Sequence, residues 1–467
     1  MWHLQRAELR DSWPAWAGVA VGFVALGFTL ALSAMVQLTG VVAVRSGALD
    51  FWQSAAFTFG PASNLLCCAL VGAAVIGSST GLVVDSRQGS LARLALAGAT
   101  PAQVVSTVMT QLVVVSLACS LVGDALALLA FEPVLHLLAA DPGEPLPTPT
   151  PVYAAWPVLL ANLFAVGLAL AAGLRQARRA SRLPPVAALR QAGTEADEPM
   201  TVGRWVGSGV CLVLIALAYA TIPAATAEPT SETFSNLVLS SVGVLVVGAV
   251  LLARLAPLLV GPVTRAWTRL LPTGAPSWYL ARSTAAARGA RLTRSVVPVM
   301  MAVGLLVGMV AIGQTVSSSL LAGGYGEAVA GTGAGSMLTF LGLPLLVALA
   351  GGVGSLVMMA RQRQAELALC GIVGTTPGQR LAMPVLEGVI IAVTGALLSL
   401  AMVAAAVVLL AVGLPAAGYP FAFVPAYGTF AAALGACTAI TVVATVLPTL
   451  PSLGRPEPRV IARLVAE

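Results

Sequence analysis

RQGSLARLALAGATPAQ at residues 87–103 and RQAELALCGIVGTTPGQ at residues 363–379 are two versions of one phrase, 276 residues apart. Eight of the 17 positions are identical: Arg, Gln, Leu, Ala, Gly, Thr, Pro and Gln. The same shift lays Trp2, Leu4 and Arg6 on Trp278, Leu280 and Arg282 without a gap. Self-similarity at a fixed spacing marks a duplicated structural unit. Each phrase is a short polar island between long apolar runs, so the unit that is duplicated is a group of membrane helices.

The rest of the chain bears this out in its composition. Of 467 residues, 58% are hydrophobic and 9% charged, against about 25% charged for a soluble domain. Apolar runs long enough to cross about 30 Å of hydrocarbon lie at 16–38, 61–83, 103–130, 152–174, 205–222, 237–260, 295–316, 337–359, 381–412 and 426–448. The expectation is an all-α polytopic membrane protein with about ten transmembrane helices. Residues 1–190 form the first four-helix repeat, 191–275 a linker carrying the fifth and sixth helices, and 276–467 the second repeat. An even number of helices separates the copies, so the repeats are parallel, related by a pseudo-twofold axis along the membrane normal.

Arginine sets the orientation. With the N-terminus inside and strict alternation, 23 of 24 arginines fall on the inner side and only Arg45 outside. Asp50, Glu132, Asp141, Glu144, Glu228, Glu232 and Glu327 fall outside. This positive-inside pattern places both termini in the cytoplasm of a multi-pass plasma-membrane protein. The alanine-rich, lysine-free composition suggests a bacterial source. The first apolar run is too long for a cleaved leader, and it has a counterpart in the second repeat.

Several chemistries are excluded. The chain has no lysine, hence no Walker A loop and no Schiff base. The pI near 9.3 reflects loop arginines and topology rather than nucleic-acid binding. The six cysteines show no zinc spacing and read as packers. His3 and His136 are isolated. No HExxH, Gly-x-Gly-Asp or serine–histidine pairing is present. No catalytic, metal or cofactor site is expected on this chain.

The repeated phrase carries the mechanism. Leu91, Leu94, Ala95 and Gly98 make one helical face, as do Leu367, Cys370, Gly371 and Gly374. Gly98 and Gly374 read as helix terminators. Thr100-Pro101 and Thr376-Pro377 read as N-cap and first residue of the next membrane helix. A short amphipathic helix is thus joined to a long span. It either receives a partner's push or lies passively on lipid.

The pattern of Arg, two residues, an acid, leucines, Gly, Thr and Gln resembles the signature of FtsX-like/MacB-type ABC transporter permeases, over roughly 61–190 and 337–464. The ten-helix layout is similar to the bacitracin-export-type branch, without its large extracellular domain. The resemblance implies that the phrase is a coupling helix docking a cytoplasmic ABC ATPase, two copies per permease, with ATP and Mg on that partner. Arg363, Glu366, Leu367, Gly374, Thr376 and Pro377 take this role in the second copy; Arg87, Leu91, Gly98, Thr100 and Pro101 take it in the first. Ser90 stands where the acid is expected. The implied function is ATP-coupled export or extraction of an amphipathic or lipophilic substrate such as a peptide antibiotic, lipid or lipoprotein. The alternative is mechanical regulation of a cell-wall hydrolase or sensor kinase.

Two carboxylates fall inside the spans, Asp124 and Glu387, and Gln111 stands at the repeat position of Glu387. A carboxylate in hydrocarbon faces protein or a cavity unless it can snorkel. Glu387 and Gln111 are expected to tie the coupling helix down. Gly18/Gly22 and Gly304/Gly308 are GxxxG pairs that permit close helix approach.

Overall fold

The computed structural model describes residues 13–48, 55–86, 94, 96–139, 148–180, 201–222, 231–271, 274–287, 289–324, 334–358, 364, 367, 369–447 and 449–450. The helices are α1 (Trp13–Arg45), α2 (Ala55–Ser86), α3 (Pro101–Ala139), α4 (Ala155–Ala180), α5 (Val202–Ala220), α6 (Ser231–Arg269), α7 (Pro276–Ala287), α8 (Gly289–Ala322), α9 (Ala334–Met358), α10 (Pro377–Ala416) and α11 (Tyr427–Val446). Nine are long and apolar enough to cross a membrane, among the described residues. The tenth expected span is α9, whose apolar part Gly342–Met358 is shorter. Its 25 residues still extend about 37 Å. Both chain termini lie outside the described residues.

The duplication is visible in the element boundaries. Adding 276 to the start of α1 gives the start of α8, and adding 276 to the start of α3 gives the start of α10. Within each copy the first helix packs on the second, third and fourth, and the third packs on the fourth. α6 lies against α8 and α10, and α5 against α6, so the two-helix insert belongs spatially to the second repeat.

Glycines decide how the copies meet. In lipid no hydrophobic force separates one apolar helix face from another, so close backbone approach selects partners. Gly18 of α1 and Gly354 of α9 touch backbone to backbone, and a Cβ on either would overlap the other's carbonyl oxygen. Gly22 faces Gly351 one turn further on. The GxxxG pair on α1 is therefore the seam between the repeats. The pair on α8 serves differently: Gly304 receives Met402 and Ser399 of α10, and Gly308 receives Leu245 of α6.

The seam is one-sided. α9 packs broadly on α1 and α2, whereas α8 barely touches α2. Arg294 and Ser78 stand at the repeat positions of Gly18 and Gly354. Side chains of that size preclude a second glycine seam, so the internal twofold is broken where the repeats join.

Candidate functional site

The joint between each phrase and its membrane helix is built twice in nearly identical form. Gly98 has φ +96° and Gly374 φ +99°, a left-handed conformation that costs an ordinary residue roughly 1–2 kcal/mol. That turn lets Ala99 N–H donate to Leu94 O (3.1 Å) and Thr375 N–H to Cys370 O (3.2 Å). This is the six-to-one bond of a glycine-terminated helix. The next helix starts at once. Thr376 N–H donates to Gln379 Oε1 (3.0 Å) and Gln379 N–H to Thr376 Oγ1 (3.3 Å). Thr100 and Gln103 repeat the pair at 2.9 and 3.4 Å. Pro101 and Pro377 occupy the first helical position, where no N–H is needed.

Each joint therefore has its orphan backbone groups satisfied on both sides. Replacing Thr376 or Thr100 by Ala should weaken the local helix start by about 1 kcal/mol. Gly374→Ala or Gly98→Ala should cost roughly 1–2 kcal/mol. Hydrogen exchange should show faster amide opening confined to the first turn of α10 or α3, with the remaining spans unchanged.

The helices beyond the joints are long. α3 has 39 residues and α10 has 40, or nearly 60 Å at a rise of about 1.5 Å per residue. That is close to twice the hydrocarbon thickness. α10 is a hub: Tyr219 Oη of α5 donates to Ala405 O (2.6 Å) and Trp267 Nε1 of α6 to Thr394 Oγ1 (3.0 Å). From α11, Thr441 and Thr445 donate to Gly388 O (3.2 Å) and Pro384 O (3.1 Å). α10 is thus bonded to three neighbouring helices, α5, α6 and α11.

Of the coupling residues singled out in the sequence, Gly98, Thr100, Pro101, Leu367, Gly374, Thr376 and Pro377 are described, and all of these except Leu367 form the two joints. Arg87, Leu91, Arg363 and Glu366 lie outside the described residues. Leu367 is buried while Leu369, Ile372 and Val373 are 56%, 60% and 87% exposed. Cys370 and Gly371 are half-buried. Of the face named in the sequence, Leu367, Cys370 and Gly371 turn inward and Gly374 is exposed. The outward face is also apolar, which the sequence reading overlooked. The spacing 369, 372, 373 was the available signal. Leu96, the repeat partner of Ile372, is 58% exposed in the first copy.

The intramembrane polar residues separate into two kinds. Gln111 is buried and Glu387 half-buried, each eleven residues beyond its capping threonine. Asp124 does not snorkel. It is 8% exposed on α3 and accepts a hydrogen bond from Asn162 Nδ2 of α4 at 2.7 Å. Asn162 has no counterpart reading in the sequence pattern; only the packing of α4 on α3 reveals it. At the far end of α3, Tyr153 donates to Glu132 Oε1 (2.9 Å), and that hydrogen bond raises the phenol above its usual range.

The family model described as "FtsX-like permease C-terminal" matches the chain twice, over residues 63–185 and 338–456, together just over half of its length. Each match runs from the second helix of a repeat through the joint to the end of the fourth. No curated protein matches the chain.

Proposed function

This chain belongs to the FtsX-like permease family, and we propose that its two capped joints are the points at which a separate cytoplasmic ATPase drives it. It is the membrane permease component of an ABC-type system, not itself the ATPase. The ATPase docks on the exposed apolar residues Leu369, Ile372 and Val373, with Leu96 as the corresponding contact in the first copy. The observation that carries this reading is the pairing of exposed apolar side chains with a satisfied, glycine-terminated joint at repeat-equivalent positions. An apolar knob exposed outside the hydrocarbon fits a protein partner better than water.

Two joints in parallel repeats face the same side, so one permease receives two ATPase copies. The arginine-rich end is the cytoplasmic end, by the distribution of arginine. In the sequence Arg363 and Glu366 precede the apolar contacts, as Arg87 does in the first copy, and these charges select the partner. ATP and Mg reside on that partner. The transported substrate is amphipathic or lipophilic, a peptide antibiotic, a lipid or a lipoprotein. The first and second repeats are built from almost wholly apolar helices, which offers lipid-soluble groups a lateral path rather than a polar pore.

The test is co-purification with the ATPase after Ile372→Asp and Val373→Asp. Placing carboxylates at the centre of an apolar contact should weaken binding about 30-fold or more, the weight of a single hot spot. Leu367 is buried within the permease, so its replacement would confuse docking with folding. Undiminished ATPase recovery from the double variant would remove the coupling assignment.

A further inference from the structure

The strongest unassigned feature is a cavity of about 710 Å³ beside the second joint, a size typical of small-molecule sites, about 300–1,000 Å³. Its walls are the α6–α7 link, the start of α7 and the first turns of α10. Leu271, Ala275, Trp278, Leu381, Ala382 and Val385 line it. On α10 the lining positions 378, 381, 382, 385 and 386 form one apolar stripe. The groove therefore runs from the capping box of α10 into the hydrocarbon.

The stretch of chain that supplies the α6–α7 wall is basic. Residues 233–326 contain seven arginines and no aspartate or glutamate. Arg269 ends α6 two residues before the groove wall at Leu271, and it is exposed. Arg282 stands one turn past Trp278 on α7, its guanidinium 6.0 Å from the centre of the exposed Tyr279 ring. Arg380, between Gly378 and Leu381 in the sequence, is buried and takes no part in the rim. Behind the wall, Trp278 packs on Trp267 with ring centres 6.1 Å apart. Trp267 is anchored by its bond to Thr394. Aromatic side chains at the interface and a basic rim on the cytoplasmic side are the features of a site for an anionic lipid headgroup.

We propose that this groove holds one anionic phospholipid of the inner leaflet, an acyl chain along the α10 stripe and the phosphate at Arg269 and Arg282. The proposal rests on the arginine-rich end being cytoplasmic, but not on ATPase docking. Charge complementarity selects a lipid over a protein loop: the lining is mainly apolar, and exposed Arg269 and half-buried Arg282 stand within four residues of the lining residues Leu271 and Trp278. A lipid seated there touches the first two turns of α10, the helix that the second joint moves. Its presence or absence would change what α10 must displace.

The experiment uses the full-length permease alone, in nanodiscs of phosphatidylglycerol and phosphatidylcholine, released for native mass spectrometry. The wild type should retain one phosphatidylglycerol in preference to phosphatidylcholine. Arg269→Gln with Arg282→Gln keeps the groove and should reduce that preference about 30-fold, the weight of two arginines at a membrane surface. Ala382→Trp fills the groove and should abolish the retained lipid of either kind. A wild type that retains no lipid, or equal retention in the filled and open forms, overturns the proposal. So does an unchanged preference for phosphatidylglycerol in the variant carrying Arg269→Gln and Arg282→Gln. Because lipid is read without the ATPase, failure of the docking assignment leaves this result intact.

Discussion

Gly354→Leu should separate the two repeats and cause a large loss of stability. Gly354 and Gly18 meet through main-chain atoms, with no flexible side chain between them to yield. Inserting bulk into a packed interior costs about 1–3 kcal/mol where neighbours can adjust. Here the neighbour is a helix backbone, so the cost lies at or above the top of that range. α1 would have to move away from α9, and α9 is the main contact of the second repeat with the first. A lowered thermal midpoint in detergent is the expected reading, with early proteolysis between the copies. Gly18→Leu should give the same result. Gly167→Leu on α4 is the control, since a side chain there meets nothing within 4 Å. Equal midpoints for Gly354→Leu and Gly167→Leu would show that the seam carries little.

The second large effect concerns transmission rather than folding. Two glycines inserted after Gly98, and two more after Gly374, should abolish most ATP-driven transport while the ATPase still binds. On the proposed function, the docking residues lie before each joint and the membrane lever after it. Each joint is expected to be stiff because a single residue separates the glycine turn from the capping threonine, and its N–H is bonded back to the preceding helix: Thr375 to Cys370 O and Ala99 to Leu94 O. Inserted glycine supplies a freely rotating link. A push on the docking surface would then reorient the short helix without moving α10 or α3. Transport assayed in proteoliposomes, beside ATPase recovery on the same preparation, separates the two events. Full transport by the double insertion would exclude a rigid lever, and loss of ATPase recovery would mean that the insertion had damaged docking itself.

The joints were legible in the sequence because their chemistry is local. A glycine at a helix end, then Thr-Pro with Gln three residues after the Thr, specifies a turn and a capping box from the side chains at hand. The 276-residue repeat made the reading firmer by showing it twice. The outward apolar face of Ile372 and Val373 was harder, since an apolar residue in an amphipathic helix is ordinarily assigned to the inside. Only the burial of Leu367 on the opposite side shows which leucine-like positions point away from the permease. Asp124 was seen as a costly carboxylate, but its partner Asn162 lies 38 residues away on another helix.

The sequence by itself determined the membrane class, the number and order of spans, the parallel duplication and the capped joints. These follow from hydropathy, from arginine placement and from backbone groups that must be satisfied within a few residues. Tertiary structure alone decided which helices touch: α1 on α9 through Gly18 and Gly354, the insert on the second repeat, and α10 as the hub for α5, α6 and α11. The reason is physical. In water, an apolar stripe announces the buried face of a helix. In lipid every face is apolar, and partner choice rests on close packing between residues far apart in the chain.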